Sequence, residues 1–253
     1  MRIASLSPAA TELLFTWGLG GAIVCRDQFS LFPDAAKELP SVRGHIDIAP
    51  EDVAPFQPDI VLTGTSIQEG VAERLRAAGM TVVHLDPRTL PAVEESFRYL
   101  GTVLGCEERA NTLCLRFRQD CNDVRKKAAL LPRRLRVYIE EWHDPPMASG
   151  NWVPELVRLA GGEPFPLRPG ELSRTVTLEE VRAFAPDLVV ISWCGAGALA
   201  DKQLLLQRSA WDTLEAVRRG AVRVLDDSFF NRPGPRLTEG ARRLYGWLFE
   251  MLH

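Results

Sequence analysis

The phrase "EDVAPFQPDIV" at residues 51–61 returns as "EEVRAFAPDLV" at residues 179–189. Both fit Glu-acid-Val-x-x-Phe-x-Pro-Asp-aliphatic-Val without a gap. The Val and Phe positions suit the buried side of a short helix. The proline ends that helix, the aspartate opens a turn, and the aliphatic pair enters a buried strand. A helix–turn–strand unit that occurs once in each half predicts two related lobes. Glu51 and Glu179 open the two units. A carboxylate at a helix N-terminus is favoured by about 0.3–1 kcal/mol. Two equivalent exposed acids could equally form a paired docking surface.

Outward from the first copy, short apolar runs alternate with helical patterns. "RIASLS" (2–7), "IVCRD" (23–27), "DIVLTG" (59–64) and "TVVHLD" (81–86) read as buried parallel strands. "AATELLFTWGL" and "EGVAERLRAAG" read as helices between them. Around the second copy, "RLRVYIEEW" (134–142), "DLVVISW" (187–193) and "AVRVLDD" (221–227) read as strands. The βα alternation predicts mainly parallel sheets flanked by helices. Between the halves, Ala110, Leu113, Phe117, Cys121, Val124, Ala128 and Leu131 recur at three- and four-residue steps, an apolar stripe along one helix. Glu107 and Glu108 at its start and Arg125, Lys126 and Lys127 near its end match the helix dipole, and Pro132 stops it. The expected fold is α/β, with two Rossmann-like βα lobes joined by one long backbone helix. The lobes are expected at 1–104 and 133–253, and the helix at 105–132.

Composition narrows the function. The 253-residue chain is 46% hydrophobic and 25% charged, as in ordinary globular proteins. Its net charge of −3 argues against nucleic acid as a partner. The chain begins at once on a strand, with no export signal ahead of it, so by itself it implies the cytoplasm. Five cysteines (25, 106, 114, 121, 194) have no CxxC spacing and read as free thiols. There is no dinucleotide fingerprint, P-loop, nucleophile elbow or H-E-x-x-H motif. The loop "EEWHDPPMASGNW" (140–152) concentrates Glu141, His143 and Asp144, which suggests a hydrolase, but no nucleophile–base pair or metal motif accompanies them. His45, Asp47, His143 and Asp144 could converge on a metal, although their scatter does not favour it, and His84 in its strand reads as a core residue. Thus no catalytic residue and no metal site is expected. Trp142, Trp152, Trp193, Phe229 and Phe230 fall at or just beyond strand ends, where open parallel sheets bind ligands and large apolar ligands find aromatic walls.

These stretches resemble a known family. "RIASLSPAATELLFTWGLG", "IAPEDVAPFQPDIVLTG", "TVTLEEVRAFAPDLVVIS" and "SAWDTLEAVRRGAVRVLDDSFFNRPGPRLTEGARRL" are similar, end to end, to class III solute-binding proteins of ABC importers, which carry cobalamin, siderophores and haem. "DPPMASGNWVPELVRLAGG" is similar to the cobalamin-binding version. The resemblance implies a monomeric, non-enzymatic binder without a catalytic cofactor, working outside the cytoplasmic membrane. It would hold a corrinoid in a cleft between the lobes and dock on importer membrane subunits through Glu51 and Glu179. Its ligand contacts would be Pro8, Phe29, His45, Trp142, Trp152, Trp193, Phe229, Phe230 and Arg232. His45 and Phe229 stand where the best-known cobalamin binder has tryptophan, and Asn231 lies near a position where it has an acid. A catechol siderophore would need converging cations, for which Arg26, Arg43, Arg174 and Arg232 are available. Haem, or a cytoplasmic corrinoid sensor of the same fold, is the other alternative.

Overall fold

Each half of the chain builds one largely parallel sheet with a buried centre. The computed structural model describes residues 1–253. It separates into two units, Met1–Pro87 with Glu95–Thr112 and Arg88–Glu94 with Leu113–His253. The first carries β1 (Ile3–Ser5), β2 (Ile23–Asp27), β3 (Ser41–Val42), β4 (Ile60–Gly64) and β5 (Val82–Leu85). Their order is β3-β2-β1-β4-β5, and every pairing is parallel. Helices α1 (Pro8–Thr16), α2 (Pro50–Val53) and α3 (Glu69–Ala77) belong to this unit. Then α4 (Leu90–Val103) and α5 (Glu107–Ala128) each contribute residues to both units.

The second unit carries β6 (Arg136–His143), β7 (Pro146–Ala148), β8 (Glu163–Pro164), β9 (Arg174–Thr175), β10 (Leu188–Ile191) and β11 (Val222–Val224). Their order is β11-β10-β6-β7-β9, with β8 also beside β6. The β10, β11 and β8 pairings are parallel, whereas β7 turns back antiparallel on β6. Its helices are α6 (Val153–Leu159), α7 (Leu178–Phe184), α8 (Lys202–Leu206), α9 (Glu215–Arg218) and α10 (Leu237–Leu252). The fold is thus α/β, with largely parallel sheets in two units. The strands read from sequence are present within three residues at their ends. The added strands β3, β7, β8 and β9 have only two or three residues, too few to show a period. No helix is long and apolar enough to cross a membrane.

The two copies of the repeated phrase fold alike to the level of single atoms. Val53 and Val181 are fully buried, and Phe56 and Phe184 pack against their unit's core. Gln57 and Ala185 both take the left-handed conformation, at φ 46° and 47°, which ends the helical turn ahead of the proline. Asp59 accepts the Arg2 N–H at 2.6 Å and donates its own N–H to Arg2 O at 2.8 Å. Asp187 makes the same pair of bonds with Arg136, at 2.7 and 2.8 Å. Each aspartate therefore clamps the start of the next-door strand, β1 or β6, to the start of its own.

Helix α5 buries most of the expected stripe: Ala110, Leu113, Phe117, Cys121 and Val124 are buried, Ala128 is half-buried, and Leu131 lies beyond the helix end. It stops at Ala128, four residues before Pro132. The cysteines are free. Burial pushes the Cys25 thiol up to about 12 and Cys121 to about 11, so both remain protonated and inert.

A charge lies inside the second unit. Glu140, near the carboxyl end of β6, is fully buried. Arg208 grips it with both terminal nitrogens, at 2.8 and 2.9 Å, while Tyr138 O–H and Trp193 Nε1–H each donate at 3.0 Å. The guanidinium also donates to His143 O at 2.8 Å and lies 4.2 Å from the Trp211 ring centroid. Removing one partner of such a pair strands the other charge without compensation. Arg208→Ala is expected to lower unfolding stability by about 3–5 kcal/mol, read by urea denaturation. A loss below about 1 kcal/mol would show that water replaces the guanidinium.

Candidate functional site

In the first unit, the carboxyl ends of β1 and β4 and the loop that follows β3 are bound together by one amide. Gln68 is fully buried. Its Oε1 accepts the Gly64 N–H at 2.8 Å, and its Nε2 donates to Leu6 O at 2.7 Å and His45 O at 3.0 Å. Gly64 admits no side chain, since a Cβ there would lie 2.8 Å from Ser7 Oγ. His45 Nδ1 lies 2.8 Å from Oδ2 of Asp27, whose side chain has no solvent exposure. Gln68 Nε2 is also 3.1 Å from Nδ1, but its two hydrogens already serve the two carbonyls. A carboxylate only accepts, so Nδ1 carries a proton, and in the neutral imidazole Nε2 is the atom with the lone pair. Asp27 Oδ1 is buried without a partner. Phe29, about one-third exposed, meets His45 edge-on, with centroids 5.5 Å apart. Pro8 opens α1 immediately beyond β1.

In the second unit, the loop from β6 to α6 is a tight antiparallel return. Trp142 is 40% exposed, and its Nε1–H donates to Asp144 O at 2.9 Å. The Asp144–Pro145 bond is cis. Glu141 accepts from Ser173 Oγ at 2.6 Å, and Ser173 Oγ in turn accepts the Gly150 N–H at 2.9 Å. Gly150 is required, because a Cβ there would sit 2.3 Å from Glu171 O and 2.4 Å from Ser173 N. Asn151, expected as a helix cap, instead takes φ 53°, which asparagine tolerates, and Trp152 precedes the helix. Beside this loop, exposed Cys194 receives Asn231 Nδ2–H at 3.2 Å.

Three aromatics expected to line a pocket are instead buried. Trp152 is 3% exposed and donates to Phe230 O at 2.7 Å. Trp193, also 3% exposed, donates to Glu140, and Phe230 is fully enclosed. The indole N–H groups of the two tryptophans find internal acceptors, so these rings brace the loops around them. Phe229 is partly buried, with Arg243 and Arg236 of the α10 region 4.4 and 5.4 Å from its ring centroid. Arg232 lies 3.7 Å from Asp227. Arg26 is buried and spent on the carbonyls of Ala36, Asp27 and Lys37, and Arg174 pairs with Glu180 at 2.8 Å, so neither is a free cation for a catechol. His143 lies between the rings of Trp142 and Trp193, and no trio of His, Cys, Asp or Glu is arranged to hold a metal ion. Asp27 is a strand-end acid that the ligand-at-strand-ends rule could have found. Gln68 gave no signal, because its role depends on two backbone carbonyls distant in sequence as well as on nearby Gly64.

The two helix-opening acids also resolve. Asp52, not Glu51, accepts the Ala49 N–H at 2.8 Å. Glu180, not Glu179, accepts the Thr177 N–H, also at 2.8 Å. The second acid of each phrase caps the helix. Glu51 is exposed and holds no ion pair, and Glu179, 76% exposed, lies 3.9 Å from Arg182.

A family model described as periplasmic binding protein matches residues 3–229. The chain belongs to this family. It is 27% identical over 260 residues to a vitamin B12-binding protein of Vibrio cholerae, covering 98% of this chain and 88% of that one. A periplasmic heme-binding protein from Pseudomonas aeruginosa superposes with a TM-score of 0.88 at 25% identity, covering 100% and 94%. The V. cholerae periplasmic vitamin B12-binding protein superposes with a TM-score of 0.80 at 24% identity, covering 98% and 96%, a likeness of fold. This periplasmic binding protein is therefore a solute binder of the ABC-importer type, not an enzyme.

That assignment makes Glu141 a structural acid. Burial raises its pKa, against the opposing hydrogen bond from Ser173 Oγ. The folded state then holds the proton more tightly than the unfolded chain, so this group's contribution falls as pH rises from the unfolded value through the folded one. Glu141→Gln should flatten that stretch of the stability–pH curve and raise the melting temperature at pH 7. An unchanged thermal-melt profile from pH 4 to 8 would contradict it.

Proposed function

We propose that this chain captures a corrinoid of the cobalamin type against the carboxyl ends of its strands and presents it to the membrane subunits of an ABC importer. It would act as a monomer on the outer side of the cytoplasmic membrane. The observation that carries the ligand reading is chemical. The accessible rings at the strand ends are Phe29 and His45 in one unit and Trp142 in the other, and of the arginines that could meet an anionic siderophore Arg26 is buried, Arg174 and Arg232 are paired with acids, and Arg43 alone is exposed without an acid partner. A broad, weakly charged ring system suits such walls. The near full-length similarity to a vitamin B12-binding protein supports the same ligand. Isothermal titration with cyanocobalamin is expected to give micromolar or tighter binding without turnover. Phe29→Ala and Trp142→Ala should each weaken it by about tenfold, the effect of losing about 1.4 kcal/mol of aromatic contact. Absence of binding to cobalamin, haem and ferric siderophores alike would sink the reading.

Haem is the second reading, favoured by one feature. The Asp27–His45 pair holds an imidazole in the tautomer whose free Nε2 can donate to a metal. Under the haem reading, His45→Ala shifts the Soret band of the haem complex. Under the corrinoid reading with the cobalt's own lower base in place, it leaves the cobalt–ligand band unchanged.

Docking is assigned to Glu51 and Glu179. Their neighbours do the capping, so their carboxylates are available to basic groups on a partner. Glu51→Gln with Glu179→Gln should leave corrinoid affinity and melting temperature unchanged while abolishing binding-protein-stimulated ATP hydrolysis by the reconstituted importer. A lowered melting temperature with stimulation intact would return both residues to a capping role.

A further inference from the structure

At the amino ends of the strands of the second unit, the end opposite the loop that carries Trp142, lies a cavity of about 610 Å³. Five arginines line it: Arg133 and Arg136 before and at the start of β6, Arg182 on α7, and Arg219 and Arg223 around the start of β11. They face two carboxylates, Asp187 and Glu215. Both carboxylates pair with members of the group, and Arg182 lies 3.9 Å from Glu179, but the cations still outnumber the acids. Asp187 already clamps the Arg136 N–H and sits 3.9 and 4.0 Å from two guanidiniums at once. Glu215 is taken by Arg219 at 2.5 Å and Arg218 at 3.4 Å. Arg223 donates only to the carbonyls of Gly220 and Val222, at 3.1 and 3.3 Å, and has no acidic partner. The chain as a whole is acidic, so this concentration of cations runs against its composition.

We propose that this cavity is a second binding site, for a molecule bearing a pyrophosphate or phosphate-ester group. Guanidinium forks match phosphate oxygens in pairs, which favours phosphate over a simple halide. The volume is that of a small-molecule pocket, and Leu135, Leu214 and Met251 provide an apolar wall for an organic remainder. No aromatic ring lines the cavity, so a stacked base is not part of the recognition. The site is independent of the corrinoid reading, since it uses none of those residues.

The test is calorimetric titration of the full chain with inorganic pyrophosphate at 20 mM and about 150 mM salt. The wild type is compared with Arg133→Ala/Arg223→Ala and with Arg125→Ala/Arg158→Ala, which removes the same charge from a different recess. Saturable binding that persists at the higher salt, weakens about tenfold or more in the first variant and survives in the second is expected. No saturable binding, or equal loss in both variants, overturns the proposal. Should the alanine variant fail to fold, Arg133→Lys/Arg223→Lys decides. It keeps the charge but not the fork, and an affinity unchanged from wild type overturns the proposal. A parallel sedimentation with phosphatidylglycerol and phosphatidylcholine vesicles identifies the source. Pyrophosphate binding alone points to a soluble phosphate compound. Added binding to the anionic vesicles that the first variant loses points to a lipid headgroup.

Discussion

A single carboxylate, Glu140, organises the carboxyl end of the second unit. It is fully buried near the end of β6, and four donors converge on its two oxygens. An ion at that depth is tolerated only with near-complete hydrogen bonding. Satisfying it therefore dictates the positions of Tyr138, Trp193 and Arg208. Arg208 in turn holds His143 O, and with it the start of the return into β7. The first unit solves the same problem with the opposite sign: buried Arg26, near the end of β2, satisfies the carbonyls of Ala36, Asp27 and Lys37 and pins the segment that leads to β3. In both units a buried ion, rather than apolar packing, shapes the loops that follow the strands.

The architecture was legible where one residue type has one structural meaning. Continuous aliphatic runs marked the central strands, the stripe from Ala110 to Val124 marked α5, and the Pro-Asp pair in each phrase marked the turn into a buried strand. Register marks were absent where elements were short: Ser41–Val42 and Glu163–Pro164 pair through their backbones, and nothing in two residues announces a strand. The end of α5 was misplaced for a related reason. A proline is an upper limit on a helix, and this one unwinds at Ala128, before Pro132 is reached.

The site was less legible, because position along the chain does not reveal which way a ring points. Trp142 and Trp152 sit in one loop and look interchangeable in sequence. One hydrogen-bonds a carbonyl next to it and stays exposed, and the other reaches a carbonyl 78 positions away and is buried. The deciding groups, Phe230 O for Trp152 and Glu140 for Trp193, are long-range partners that only the fold supplies. Asp27 shows the reverse: its meaning depends on His45, eighteen residues on, although its place at a strand end was visible.

The doubled acids of the repeated phrase have an evolutionary consequence. In each copy one carboxylate is committed to the helix and its neighbour is not. A mutation at Glu51 or Glu179 is thus nearly silent for folding, while one at Asp52 or Glu180 is not. Surface charge at two matching points can drift, be inverted or be strengthened in a lineage without a stability barrier to cross.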